Sequence, residues 1–192
     1  HEVEALGEAT TARFGTPHFV FNNAGVGVGG LIWEHSAHDW AWILGVNVMG
    51  VAHGVRVFTP PMLAAAQADP DYEGHIVNTA SMAGLTSNPG MGPYNVAKHG
   101  VVTLSETMYV ELQMTHPEVG VSVLCPGWVR TRIHESERNR PDEVGGVEVA
   151  ETDEGLAAMR EMVANWIAEG LQPAHVASLV VDAIRENRFY VL

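Results

Sequence analysis

Cations and cysteine are what this sequence has least of. Ten lysines and arginines stand against 23 aspartates and glutamates in 192 residues, a formal charge of -13. Such a surface repels phosphates, so nucleic acid and anionic membrane surfaces are not expected partners. One cysteine, Cys125, excludes an intramolecular disulfide framework and fits a reducing cytoplasm. It stands in an apolar run, where a packed thiol is expected rather than a reactive one. The longest apolar region, residues 40–55, is interrupted by Asn47 and His53 and reads as a buried helix, not a bilayer span. No signal peptide is legible. An initiating Met is missing as well. His1 is followed at once by helical sequence, so the chain reads as a fragment that starts inside a domain.

With 46% apolar and 17% charged residues, the composition is that of one globular domain over residues 1–192 with a sizeable core. Strand and helix patterns alternate along it. A surface helix to Arg13 is stopped by Gly15 and Pro17. Residues 18–21 form a short apolar strand that empties into Asn22-Asn23-Ala24-Gly25. Ser36 to Asp39 has the form of a capping box with Asp in place of Glu. The helix it opens is expected to carry Trp40, Leu44, Asn47, Val51 and Val55 on its inner stripe. Pro60-Pro61 should disturb or end it, with helix resuming from Met62 to Ala68. Residues 74–80 are a second strand, closed by Ser81. A loop rich in glycine and proline leads to a helix from Tyr94 to about Thr115. Residues 120–125 are a third strand, ended by Pro126-Gly127. An acidic, irregular stretch over residues 128–172 holds one amphipathic helix marked by Leu156, Met159, Val163, Trp166 and Ile167. A last helix after Pro173 and a short strand over residues 189–192 complete the chain.

Nearly all-apolar strands alternating with helices imply a parallel sheet buried on both faces. In such α/β folds ligands bind beyond the carboxyl ends of the strands. Asn22-Asn23, Ser81, and Pro126-Gly127 with Thr131 all fall there. Tyr94 and Lys98, four residues apart, share one helix face. An ammonium beside a phenol favours the phenolate and lowers its pKa, which suits a proton-transfer group. Asn47, on an apolar stripe, is expected to be buried, and a buried amide needs partners.

Taken together these residues resemble the short-chain dehydrogenase/reductase family over the whole chain. Asn22-Asn23-Ala24-Gly25 matches the family's N-N-A-G, and Asn47 its mid-helix asparagine. Ser81, thirteen residues before Tyr94, matches its catalytic serine, Tyr94 and Lys98 its Y-x-x-x-K, and Pro126, Gly127 and Thr131 its P-G-x-x-x-T. The resemblance implies a Rossmann-like doubly wound parallel sheet. It implies an NAD- or NADP-dependent oxidoreductase that moves a hydride between cofactor and a carbonyl or secondary alcohol substrate. Tyr94 would be the general acid or base, Ser81 would polarise the substrate oxygen, and Lys98 would tune Tyr94 and bind the nicotinamide ribose. Asn47 would hold a water in a relay to Lys98. Asn22, Ala24 and Gly25 would support the cofactor site and the central sheet. Pro126, Gly127 and Thr131 would border the nicotinamide. A homodimer or homotetramer is implied, through the helices bearing Asn47 and Tyr94, with Gly50 and Gly54 allowing close approach.

The family's glycine-rich turn and first three strands have no counterpart here. Two overlapping βαβ units of about 30 residues imply roughly 60 or more residues upstream of His1. That turn anchors the pyrophosphate, and the residue choosing between NAD and NADP lies in the same segment. The chain alone is therefore expected to bind cofactor poorly, and the strand at residues 18–21 to leave an apolar edge exposed. An alternative is a non-catalytic, truncated scaffold that acts only through protein association. Gly25, Gly27, Gly29 and Gly30 do not make a dinucleotide fingerprint, because no helix opens directly after them. His35 and His38 with Glu34 and Asp39 read as a solvated helix start rather than a metal site. Trp128, Ile133, Leu85 and Met91 fit a substrate pocket and ordinary packing equally well. Residues 128–172 are expected to cover the substrate, but their mixture of acidic residues with Trp166, Met159 and Met162 names no substrate class.

Overall fold

The computed structural model describes residues 1–142 and 154–192. Four strands form one parallel sheet in the order β1-β2-β3-β4: β1 is Phe19–Asn22, β2 Gly74–Thr79, β3 Val119–Leu124 and β4 Tyr190–Val191. The helices between them are α1 (Glu2–Phe14), α2 (Ala37–Leu44), α3 (Gly50–Ala68), α4 (Gly92–Thr115), α5 (Glu154–Glu169) and α6 (Pro173–Arg185).

The sheet carries helices on both faces, as the apolar strands require. On one face Val20, Ile76, Val119 and Val121 pack against Phe58 and Met62 of α3 and Met108 and Leu112 of α4. Further along, Val123 meets Val51 and Val101. On the other face Val77 and Val191 pack against Val180 and Ala183 of α6. Period-two alternation explains the split, since neighbours along a strand point to opposite faces. The architecture is the Rossmann-like α/β sheet expected, with β1 paired on one side only.

Ser36 caps α2 as the sequence predicts. Its hydroxyl accepts from the Asp39 amide at 3.1 Å, and the Asp39 carboxylate accepts from the Ser36 amide at 2.8 Å. The stripe behind the cap differs from expectation. Trp42 and Ile43 are buried, whereas Trp40 and Leu44 lie only partly inside. The cause is a π-helical turn over Gly45–Met49, which widens the coil and advances the phase of the residues before it. Asn47 sits in that turn and is fully buried.

Pro60 and Pro61 do not end α3, which continues unbroken to Ala68. The amides they lack would have bonded to the carbonyls of Arg56 and Val57, and Arg56 is exposed to water. Phe58 and Met62, buried on either side of the pair, hold the helix to the sheet. Ala37–Ala68 is long and apolar enough to cross a membrane, but it lies along the sheet with α3 against β1, β2 and β3. Cys125 is buried and its thiol is pushed up to about 11 by burial, as a packed thiol should be. On α5, Ile167 is buried and Met159 and Val163 partly so. The Leu156 side chain and residues 143–153 lie outside what is described.

Candidate active site

The sheet topology gathers the conspicuous polar residues at the carboxyl ends of the strands. β2 ends at Thr79, and a 3-10 turn over Met82–Gly84 follows, capped by Ser81. The Ser81 hydroxyl accepts from the Ala83 amide at 3.1 Å. That turn lies flat against α4. A Cβ on Gly84 would come within 2.7 Å of the Lys98 carbonyl oxygen, so only glycine allows this approach. The close contact brings Ser81 beside the Tyr94 phenol, whose pKa its side chain lowers. After β3, the Pro126 carbonyl accepts from the Met82 amide at 3.0 Å, fixing the Pro126-Gly127 turn beside the serine.

One turn of α4 further on, Lys98 is 3% exposed, and its ammonium donates to the Thr79 carbonyl at 2.8 Å. It lies 5.6 Å from the centre of the Tyr94 ring. Burial pushes Lys98 down to about 8. The Tyr94 phenol is not lowered as the pairing alone predicts. Burial holds it above its ordinary value of 10, and the Ser81 side chain pulls the other way. Desolvation of a group shut inside the protein outweighs a cation whose own hydrogen bond goes to Thr79.

Asn47 is buried as expected, and its partners are now named. Its Oδ1 accepts from the Val26 amide at 2.8 Å and its Nδ2 donates to the Val26 carbonyl at 2.9 Å. The side chain therefore clamps the loop after β1. The clamp places Gly25 between Asn47 and Lys98: a Cβ there would lie 3.4 Å from Asn47 Oδ1 and 3.6 Å from Lys98 Nζ. Further along the same loop, Gly27 donates its amide to the Ser136 hydroxyl at 2.8 Å, and Gly30 to the Gly90 carbonyl at 3.0 Å. The glycine-rich segment thus opens no helix, and it ties β1 to the loop in front of Tyr94.

The other candidates divide. Asn22 turns inward and donates to Asn78 Oδ1 at 2.8 Å, while Asn78 donates to Ser105 at 3.0 Å. This row supports the sheet. Ala24, Gly25 and Gly127 are exposed at the site's edge, and nothing lies within 4 Å of where a Gly127 side chain would start. Thr131 is exposed, and its hydroxyl accepts only a long bond, 3.4 Å, from the Ile133 amide. Gly54 is not free for a partner helix. A Cβ there would land 1.9 Å from Asn22 Oδ1, so the glycine serves packing of α3 on β1. Sequence reasoning missed Val26 and Thr79, which act through backbone atoms that leave no trace in side-chain patterns. Among the described residues no group of three or more His, Cys, Asp or Glu could hold a metal ion.

These residues fit the nicotinamide end of a dinucleotide. Lys98 has three donors and uses one on the protein, Gly25 keeps the space beside its ammonium free of a side chain, and Gly127 stands open.

Comparison with known proteins agrees. The short chain dehydrogenase family model matches residues 1–142. A crystal structure of a short chain dehydrogenase/reductase from Burkholderia phymatum, in complex with NAD, is 50% identical, with a TM-score of 0.90, over 99% of this chain and 66% of that one. The CLA biosynthesis dehydrogenase/reductase of Lactiplantibacillus plantarum is 30% identical over 96% of this chain and 63% of its own length. The C alpha-dehydrogenase of Sphingobium sp. is 31% identical over 100% of this chain and 57% of its own. The chain thus spans about three fifths of the length of these two curated relatives. With its sheet, its serine–tyrosine pair and its buried lysine in the family's order, the chain belongs to the short-chain dehydrogenase/reductase family of oxidoreductases.

Proposed function

We propose that this chain carries the proton-transfer machinery of an NAD(P)-dependent oxidoreductase acting on a carbonyl or secondary alcohol. One observation carries the reading: a nearly inaccessible lysine ammonium 5.6 Å from the Tyr94 ring, with Ser81 beside the phenol. An ionisable group so buried costs stability, and functional sites are where such costs are found.

The cofactor, when bound, supplies or accepts the hydride. In the reducing direction the substrate oxygen lies against the Ser81 and Tyr94 hydroxyls. Ser81 donates a hydrogen bond and offsets the charge that develops there. Tyr94, with its pKa held up by burial, keeps its proton at neutral pH and delivers it to that oxygen. Lys98, mostly protonated near pH 7, stabilises the phenolate that results. In oxidation the same steps run backwards. Asn47, clamped to Val26 through its Oδ1 and Nδ2, contributes through the placement of Gly25 beside Lys98.

Lys98 and Tyr94, with Ala24, Gly25, Pro126, Gly127 and Thr131 around them, would hold the nicotinamide and its ribose, and Asn22 braces them from below. The cofactor is NAD or NADP, and the NAD complex of the Burkholderia protein supports a nicotinamide. Residues 128–142 and 154–172 would form the substrate side. Self-association through α3 and α4 is supported by an apolar groove there lined by Val55, Leu63, Leu104 and Met108. Thr59 Oγ1 and His116 Nδ1, in the same groove, are buried without a hydrogen-bond partner.

The test is a titration with NADH and NADPH, following energy transfer from tryptophan to the bound nicotinamide. Weak but saturable binding is expected, with Tyr94→Phe retaining it and losing about 100-fold or more in turnover. A folded chain that binds neither cofactor would leave the non-catalytic scaffold as the better reading.

A further inference from the structure

Between the end of β3 and the loop ahead of Tyr94, α5 is fastened at two points. At one end the Met159 sulfur lies over Gly90, where a Cβ would come within 2.5 Å of it. Gly90 stands four residues before Tyr94. At the other end Gly170, just past α5, presses on the Trp128 backbone, 2.5 Å from Trp128 O to where its Cβ would be. Leu171 donates its amide to Trp128 O at 2.9 Å, and Arg130 donates back to Leu171 O at 2.9 Å. Trp128 itself comes two residues after Pro126, whose carbonyl is bonded to the residue following Ser81. The fastenings therefore stand on either side of the Ser81–Tyr94 pair.

From Met159 to Trp166 the helix advances seven residues, about 10 Å. Met159, Met162 and Trp166 recur at spacings of three and four, on one side of α5. Met159 is spent on Gly90, and Ile167 is buried on the adjoining face. Met162 and Trp166 stay 44% and 42% exposed. The Trp166 ring meets Trp128 at 5.3 Å between centroids and 35° between planes, and Trp128 is 39% exposed. Met82 and Leu85, on and just after the turn capped by Ser81, are also exposed. Large apolar groups left half open around one polar pair mark a surface meant for an apolar ligand. A tilted indole pair beside a methionine favours a flat ring over a flexible alkyl chain, because ring faces and edges meet with defined geometry and sulfur contacts add to it.

We propose that the substrate bears an aromatic ring next to its reacting carbonyl or alcohol carbon, and that Trp128, Trp166 and Met162 determine that specificity by holding the ring. The inference rests on the oxidoreductase reading above and deepens it.

The test measures affinity apart from turnover. The folded protein, with the preferred nicotinamide cofactor present, is titrated by saturation-transfer NMR with 2-acetonaphthone, octan-2-one and pyruvate. The aryl ketone should bind about tenfold or more tighter than the alkyl ketone, and pyruvate more weakly than either. Trp128→Ala with Trp166→Ala should erase the aryl preference, and Trp166→Phe should keep most of it, which separates a lost ring contact from a lost fold. Ser81→Ala should abolish turnover and leave aryl affinity in place. Equal affinity for the aryl and alkyl ketones, or an aryl preference that survives the double variant, overturns the proposal. Aryl binding that depends on both tryptophans, with the cofactor bound but no turnover, would uphold this inference while refuting the oxidoreductase reading.

Discussion

Lys98 is ionised at a cost. Its ordinary pKa of 10.5 falls to about 8 in the fold because burial disfavours the ammonium. Between pH 8 and 10.5 the unfolded chain binds the proton that the folded chain has released, so stability rises with pH across that window. Below pH 8 both states are protonated and the full penalty stands. A shift of this size corresponds to about 3 kcal/mol, less about 1 for the bond to Thr79. Lys98→Met is therefore expected to raise stability at pH 7 by about 2 kcal/mol, to flatten the alkaline rise, and to lose turnover. Urea midpoints at pH 7 and pH 9.5 would check it, and a variant less stable at pH 7 would contradict it.

His75 tests the opposite end of the scale. It is buried in β2, and burial pushes it down to about 4. The Ser122 hydroxyl donates to the Arg188 carbonyl, which leaves His75 Nε2 to donate to Ser122 at 2.8 Å. A neutral imidazole satisfies that arrangement. Stability is full above the unfolded value of 6.5 and is lost as pH falls through 4, by about 2 kcal/mol. His75→Gln should show a shallower loss between pH 6.5 and 4 in urea melts. An unchanged acid slope would sink the assignment.

Among the elements, α3 depends on a glycine whose purpose spacing alone misassigns. Gly50 and Gly54, four apart, look like a helix-approach motif. In the fold Gly54 receives Asn22 and Gly50 meets nothing within 4 Å. Gly54→Ala would force the Asn22–Asn78–Ser105 row apart and should destabilise by about 2–3 kcal/mol. Gly50→Ala should be neutral or slightly stabilising through helix propensity. Thermal melts of the two variants should differ by roughly 5 °C or more. The elements themselves were legible because apolar periodicity and the Ser36 cap are properties of local sequence. The π turn at Asn47 was not, because one extra residue in a coil leaves the apolar pattern readable at a shifted phase. Nor was Asn47's attachment to Val26, which joins a side chain to a backbone 21 residues away.

At the scale of the whole molecule, the sheet ends on β1, which among the described residues has a strand on one side. β1 pairs with β2 alone, so its outer edge presents unpaired amides and carbonyls. Phe19 and Phe21 alternate with Val20, which packs on α3, and are 52% and 55% exposed on the face where α6 packs over β2, β3 and β4. The exposed edge was an expectation of the sequence, and the described residues place no strand on the outer side of β1. The positions of the candidate site residues were legible for a related reason: each sits at a strand end or on a helix face, where local spacing fixes position. An open edge flanked by phenylalanines is a template for association through strands, distinct from the groove between α3 and α4. Phe19→Lys with Phe21→Lys should therefore reduce concentration-dependent light scattering, because lysine on an edge opposes strand addition. Leu104→Lys, in the groove, should shift the discrete oligomer seen by sedimentation and leave the scattering as it was. If the groove variant removes the scattering and the edge variant does not, association runs through the helices alone.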